Sequence, residues 1–318
     1  MSAPGFSSRH AFSGALLEAA LNDRSIYAIC SDSKGSVTLG GFEKALPGQY
    51  VEAGIAEQDA VGIGAGLARS GKRVFVCGPA CFYSARSLDQ VKVDVAYANT
   101  DVKIIGISGG VAYGALGATH HSLHDLAVMR AFPGLSVFLP CDNYQTAAVT
   151  RHLATHPGPA YVRLGRAPVQ DVYGEDRQAG FVPGQAVLLH EGQDCTVIAA
   201  GEMVQPSLAA ALLLAQEGIT VRVLDMWSIK PLDAQAIARA ARETGLLFTV
   251  EEHSIYGGLG AAVAEVVVQT CPVPVRILGF PDEWAPAGSA AELFDYYGFT
   301  AQKLANRIRE ALATQLGR

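Results

Sequence analysis

Tyr50-Val-Glu-Ala-Gly-Ile-Ala-Glu-Gln-Asp59 puts an acid, Glu57, at the head of a predicted helix, shortly after a turn-prone glycine, Gly54. Acids near a helix N-terminus are favoured by the helix dipole, so Glu57 taken alone reads as structural. Outward from it the chain alternates. Small residues (Ala60, Gly62, Ala65, Gly66, Ala68) line a close-packing helix over 57–70, and an apolar strand follows at 73–77. The spacing of apolar residues predicts helices at 9–22, 84–99, 126–130 and 143–155, with strands at 26–30, 102–107, 135–139 and 160–164. A stretch rich in proline, glycine and charge, 165–193, reads as a linker. Beyond it come strands at 195–200, 220–224, 246–250 and 273–278, and helices at 206–216, 234–243, 258–269 and 301–316. Short apolar strands between helices predict an α/β protein: two doubly wound domains with mainly parallel sheets, divided as 1–180 and 181–318. Ligands of such sheets bind beyond the carboxyl ends of the strands, which directs attention to the loops after Cys30, Cys77 and Ile107.

Composition narrows the function. Of 318 residues 50% are hydrophobic and 17% charged, which suits a large core and a sizeable subunit interface. A net charge of −6 with no basic run argues against nucleic acid or an anionic membrane as partner. No apolar run approaches the roughly 20 residues of a membrane span. The N-terminus lacks the basic and apolar regions of a signal peptide. The six cysteines form no CxxC pair and no metal spacing, and read as buried thiols of a cytoplasmic protein.

Two recurrent catalytic motifs are missing: there is no P-loop and no HExxH. Gly62-Ile-Gly-Ala-Gly66 lies inside a helix and reads as packing, and Gly257-Gly-Leu-Gly260 is a weak signal for a helix start. More informative is the glycine-rich loop Gly109-Gly-Val-Ala-Tyr-Gly-Ala-Leu-Gly117 with His120, His121 and His124 behind it. Three histidines at a strand-end loop are functional candidates. Arg163 and Arg166 close another strand, as an anion fork or as salt-bridge partners.

Together these segments resemble the C-terminal half of transketolases, a pyrimidine-binding (Pyr) domain followed by a C-terminal domain. Gly54-Ile-Ala-Glu57, Asp89-Gln-Val, Gly117-Ala-Thr-His120-His, Val223-Leu-Asp-Met-Trp-Ser-Ile-Lys-Pro-Leu232 and Val250-Glu-Glu-His-Ser-Ile-Tyr-Gly-Gly-Leu-Gly260 carry the resemblance, from about Arg9 onward. The same module occurs in 1-deoxyxylulose-5-phosphate synthase and in the β-type chains of 2-oxo-acid dehydrogenases, which remain the alternative reading. The family holds the diphosphate and Mg²⁺ (or Ca²⁺) of thiamine diphosphate on an N-terminal domain with a GDG motif, and no GDG occurs here. The resemblance therefore implies the C-terminal subunit of a split transketolase. It would transfer a two-carbon ketol unit between sugars or sugar phosphates, and only when joined to an N-terminal, diphosphate-binding subunit in an α2β2 assembly.

The resemblance also implies roles. Glu57 would share a proton with N1′ of the aminopyrimidine ring, its apolar approach raising its pKa by desolvation. Ile55 would touch the ring, and Phe82 or Tyr83 would stack on it. His120 would face the reacting carbon, as an oxyanion donor or proton relay. Arg9, Ser36 and Arg166 align with positions for the sugar-phosphate end, with Arg163 assisting. His121 stands where Gln is usual. Ser108 replaces a phosphate-binding histidine and Leu116 an acid that reads a sugar hydroxyl. These two changes point to unusual donors or acceptors, or to relaxed stereochemistry.

Overall fold

The computed structural model describes residues 7–174 and 180–316. The first six residues, part of the segment read as lacking a signal peptide, and 175–179 of the predicted linker lie outside the described residues. The first half contains α1 (Ser8–Asn22), β1 (Ile26–Cys30), α2 (Lys34–Val37), α3 (Gly40–Ala45), β2 (Tyr50–Glu52), α4 (Glu57–Arg69), β3 (Arg73–Pro79), α5 (Ala80–Tyr83) and α6 (Leu88–Gln90). It continues with β4 (Val102–Ile107), α7 (Asp125–Arg130), β5 (Ser136–Phe138), α8 (Asn143–Thr155) and β6 (Ala160–Leu164). The second half holds β7 (Val187–His190), β8 (Cys195–Ala199), α9 (Val204–Ala215), β9 (Val221–Asp225), β10 (Ser228–Lys230) and α10 (Ala234–Thr244). Then follow β11 (Leu247–Ser254), α11 (Leu259–Thr270), β12 (Val275–Phe280), α12 (Ala290–Tyr297) and α13 (Ala301–Leu316).

Two sheets result, as the alternation predicts. A seven-stranded sheet runs β10-β5-β6-β4-β3-β1-β2, parallel except for β10 against β5. A five-stranded sheet runs β12-β11-β8-β9-β7, parallel except for β7 against β9. Strands such as Val102–Ile107 and Cys195–Ala199 are buried at every residue, which is why they read as mainly apolar runs, interrupted only by Lys103 and Thr196.

The second half also completes the first sheet. After β9 the chain crosses over, and β10 pairs with β5. Trp227 in the crossing is 1% exposed, stacks on Phe138 at 5.4 Å and donates from Nε1 to the Gln185 carbonyl at 3.0 Å. Burying so large a side chain stabilises this junction by on the order of 3 kcal/mol. The linker is pinned as well. Asp142 caps α8 by accepting from the Gln145 amide at 2.8 Å, and its other oxygen accepts from the amides of Val172 and Tyr173 at 2.9 and 2.7 Å. Asp225, fully buried between the halves, accepts from Tyr173 and Gln145, and its loss of hydration pushes its pKa up to about 7.

Several expectations need revision. Part of the predicted linker, Val187–His190, is an edge strand, hidden by the Pro and Gly around it. The helix expected at 84–99 is broken: α5 starts early, 84–87 is a turn, and 91–97 winds as a π-helix. Ser84 and Ser87 explain the break, because their hydroxyls bond back to the carbonyls of Ala80 and Tyr83 and compete with the helix ladder. The second domain also contains α12, absent from the predicted elements although Ser289 and Glu292 have the spacing of the capping box that starts it.

Candidate active site

Parallel strands deliver their carboxyl ends to one edge of the larger sheet, and five segments meet there. They are the α2 loop after β1, the 53–57 turn after β2, α5 after β3, the glycine-rich loop after β4, and Arg166 after β6. Gly54, with φ +74°, makes the turn that brings Glu57 to the first position of α4.

Glu57 is 3% exposed, and its Oε2 accepts from Arg86 Nη1 at 2.8 Å. The same guanidinium covers the Phe82 ring, 4.4 Å from its centroid, while its outer side is half exposed. Edge-on to Phe82 stands the His120 ring, 5.4 Å away, and Tyr113 flanks His120 at 5.5 Å. The Thr119 hydroxyl lies 2.9 Å from His120 Nδ1, which orients the ring and leaves Nε2 for chemistry. Arg166 lies over Tyr113, 4.9 Å from the ring centroid, and donates to the Ser108 hydroxyl at 3.4 Å. Arg9 spans the site's floor, donating to the carbonyls of Ser36 at 2.7 Å and Arg166 at 2.8 Å. Burial, and then the neighbouring Arg166, lowers the Arg9 pKa. The result is an arc: a buried carboxylate and an aromatic face at one end, an imidazole in the middle, two guanidinium groups at the other. Such an arc can seat a flat, hydrogen-bonding heterocycle beside an anionic, hydroxylated substrate.

Residues 5–171 match the transketolase pyrimidine-binding domain, and 184–304 match the transketolase C-terminal domain. The chain belongs to the transketolase family. It is 58% identical, over 95% of its length and 96% of the relative's, to one of the separate chains of the apulose-4-phosphate transketolase of Phocaeicola vulgatus. Identity is 38% to a 6-deoxy-6-sulfo-D-fructose transketolase subunit of a Clostridium species, covering 93% of this chain and 91% of that one. Among solved structures, a split-gene transketolase described as an inactive β4 tetramer superposes with a TM-score of 0.88 at 37% identity, over 97% of this chain and 99% of that one.

Against the transketolase expectations, the structure gathers Glu57, Phe82, His120, Arg166, Arg9, Ser36 and Ser108 at one edge. Ile55 stands beside Glu57, 79% exposed. Three expectations are corrected. Tyr83 offers no face to a ligand, since it is fully buried with its hydroxyl on Ser31 at 3.0 Å. Arg163 is internal: it is 6% exposed and saturated by Asp125 and Glu252, so it cannot assist with a substrate phosphate. His121 is buried and turned inward, with Nε2 3.0 Å from the Gly114 carbonyl, and desolvation lowers its pKa. It lines a separate cavity of about 440 Å³ against Trp284 and Ala285, not the arc. The apolar approach expected for Glu57 is also interrupted, because Arg86 pairs with it.

Arg86 and Tyr113 are site residues that sequence reasoning misses. Arg86 falls within a segment that reads as a regular helix, and only the serine-induced turn folds it back over Phe82. Tyr113 carries a weak signal, as the one aromatic residue in a loop otherwise made of small and aliphatic residues.

Proposed function

We propose that this chain is the pyrimidine-binding subunit of a two-component, thiamine-diphosphate-dependent transketolase in the cytoplasm. The observation that carries this reading is the buried Glu57 carboxylate beside the Phe82 ring face and His120. When bound, thiamine diphosphate supplies the electron sink for breaking and remaking a carbon–carbon bond next to a ketone, which no side chain offers. This chain's part is placement. Phe82 would stack on the aminopyrimidine, and Glu57 would hold a proton at N1′. Arg86 covers both groups, so it would have to leave the Phe82 face for the ring to stack there. His120 donates to oxygen as negative charge develops there. Arg166 takes the substrate's phosphate, and Arg9, whose terminal nitrogens are committed to carbonyls, adds positive charge beneath it.

The diphosphate and its Mg²⁺ (or Ca²⁺) are assigned to an N-terminal partner subunit, in an α2β2 assembly. The relatives' description as subunits supports this division. For the substrate, Ser108 and the half-exposed Leu116 replace groups that read ordinary pentose phosphates. The Phocaeicola relative's name adds the direction, apulose 4-phosphate as a substrate. Steady-state kinetics of the reconstituted pair should give a kcat/KM for apulose 4-phosphate at least about tenfold above that for xylulose 5-phosphate, a difference worth about 1.4 kcal/mol in the transition state. Equal or reversed values would remove the substrate assignment and leave the transketolase chemistry standing. Consumption of pyruvate by the pair would favour the synthase or dehydrogenase reading instead.

A further inference from the structure

The carboxyl ends of the two sheets meet at a buried charge cluster outside the arc. Arg163, closing β6, donates through Nη2 to the Glu252 side chain at 3.1 Å and to the Glu252 carbonyl at 2.6 Å. Its Nη1 reaches Asp125 at 3.4 Å, and Asp125 also accepts from the Tyr161 hydroxyl at 2.6 Å. Glu252, from β11 of the second domain, uses its other oxygen to accept from the Val111 amide at 2.8 Å. Val111 lies near the start of the glycine-rich loop that leads to His120.

The fit leaves no slack. A Cβ on Gly110, whose φ is +59°, would lie 2.1 Å from the Glu252 carboxyl carbon, and one on Gly109 would lie 2.0 Å from Arg163 Nε. Glycine at both positions lets the backbone rest directly on the ion pair. The loop's feet are tied to each other: the Gly110 amide donates to the Ser122 carbonyl at 3.1 Å, and the Ser122 amide returns a bond at 2.7 Å. His120 is two residues from that tie. These bonds link Glu252, through Val111 and the tied feet, to the segment that carries His120.

We propose that Glu252 is a positioning residue through which the C-terminal domain sets His120 in the catalytic arc. This rests on the reading of His120 given above. It assigns the second domain a role in turnover beyond completing the sheet. The groups facing Glu252 are Arg163 from β6, Asp125 from α7 and Glu202 from the turn after β8, with Arg9 behind Glu202. Two buried carboxyl groups, Asp125 and Glu252, thus share one arginine with the half-buried Glu202 facing them, and desolvation raises the pKa of both Glu202 and Glu252. Protonation of Glu252 weakens its pairing with Arg163 and its hold on Val111.

The test uses the reconstituted two-subunit complex with Glu252→Gln and Glu252→Ala. Gln keeps an acceptor for the Val111 amide but loses the charge, whereas Ala loses both. Misplacing a catalytic group by about 1 Å can cost on the order of a hundredfold in rate. The expected result is a kcat lower by roughly tenfold in Glu252→Gln and roughly a hundredfold in Glu252→Ala. Half-saturating thiamine diphosphate should stay within about twofold of wild type, since the cofactor's own contacts are elsewhere. The kcat–pH profile of Glu252→Gln should change shape, and amide exchange in 109–122 should quicken while α4 and β3 stay protected. Should Glu252→Ala not assemble, Glu252→Gln carries the test through its pH profile and exchange. Unchanged kcat and an unchanged pH profile in Glu252→Gln would overturn the proposal, as would a kcat that falls only in step with the fraction of assembled complex. Glu57→Gln serves as the reference: if that variant turns over normally, the reading of the arc has failed, whereas if only the Glu252 variants do, the positioning role alone has failed.

Discussion

Glu57→Gln should lower kcat of the reconstituted complex by about 10²- to 10³-fold with little change in KM for either sugar. The amide fills the same volume at the start of α4 and still accepts a hydrogen bond from Arg86, so the fold around it survives. It cannot exchange a proton with a ring nitrogen at neutral pH. The loss therefore falls on the chemical step and leaves ground-state binding of the sugars alone. Removing the charge also loosens Arg86, whose guanidinium is held between Glu57 and Phe82. Cofactor entry should become no harder, and half-saturating cofactor should not rise by more than the value of one hydrogen bond, about 0.5–1.5 kcal/mol. Pre-steady-state turnover by stopped flow separates the two effects. A drop in cofactor affinity with undiminished kcat at saturation would mean that Glu57 is only a binding group.

The second large effect is on stability. Arg163→Met should destabilise the chain by about 3–5 kcal/mol, read from urea unfolding midpoints at constant m-value. Arg163 is the cation to which Asp125 and Glu252 are bound, and all three are buried. Methionine fills the space without neutralising either acid, so both must take up protons or draw in water. The penalty should shrink below the ordinary carboxylate range, where the acids are neutral in the folded and the unfolded chain alike. A double-mutant cycle with Glu252→Gln should show coupling of about 1–3 kcal/mol, because the two substitutions break one contact. This experiment also decides between the two sequence-level meanings of Arg163. An arginine serving a substrate phosphate would raise KM and leave the midpoint in place.

Much of this architecture is legible in the sequence, for physical reasons. Buried parallel strands are apolar at most positions, so 102–107 and 160–164 stand out despite Lys103 and Arg163 and keep their boundaries in the structure. Helix 143–155 matches to the residue, helped by an aspartate in the capping position. Edge and crossing strands are not legible in the same way. Val187–His190 and Ser228–Lys230 are short and bounded by Pro or Gly, and only their neighbours make them strands. The site divides likewise. Glu57 at the start of α4 and His120 after the glycine-rich loop are both delivered to one edge by strand ends, so order along the chain is enough to pair them. Arg163, Tyr83 and His121 differ from true site residues only in the direction the side chain takes, which sequence spacing does not encode. Arg86 is hidden by a break that two serine hydroxyls impose on a segment with helical spacing. Glu252 is hidden because its partners are Val111 and Arg163, in the other domain.

Calorimetric titration of thiamine diphosphate, with Mg²⁺ present, tests the central claim most directly. It is run on this chain alone, on the N-terminal partner alone, and on their equimolar mixture. If the ring is held here and the diphosphate there, affinity in the mixture should exceed that of either chain alone by at least about a hundredfold, or about 2.7 kcal/mol. Glu57→Gln should leave the mixture assembled while turnover is lost. Binding to this chain alone as tight as to the mixture, or to the partner alone as tight as to the mixture, would contradict a cofactor site divided between two polypeptides.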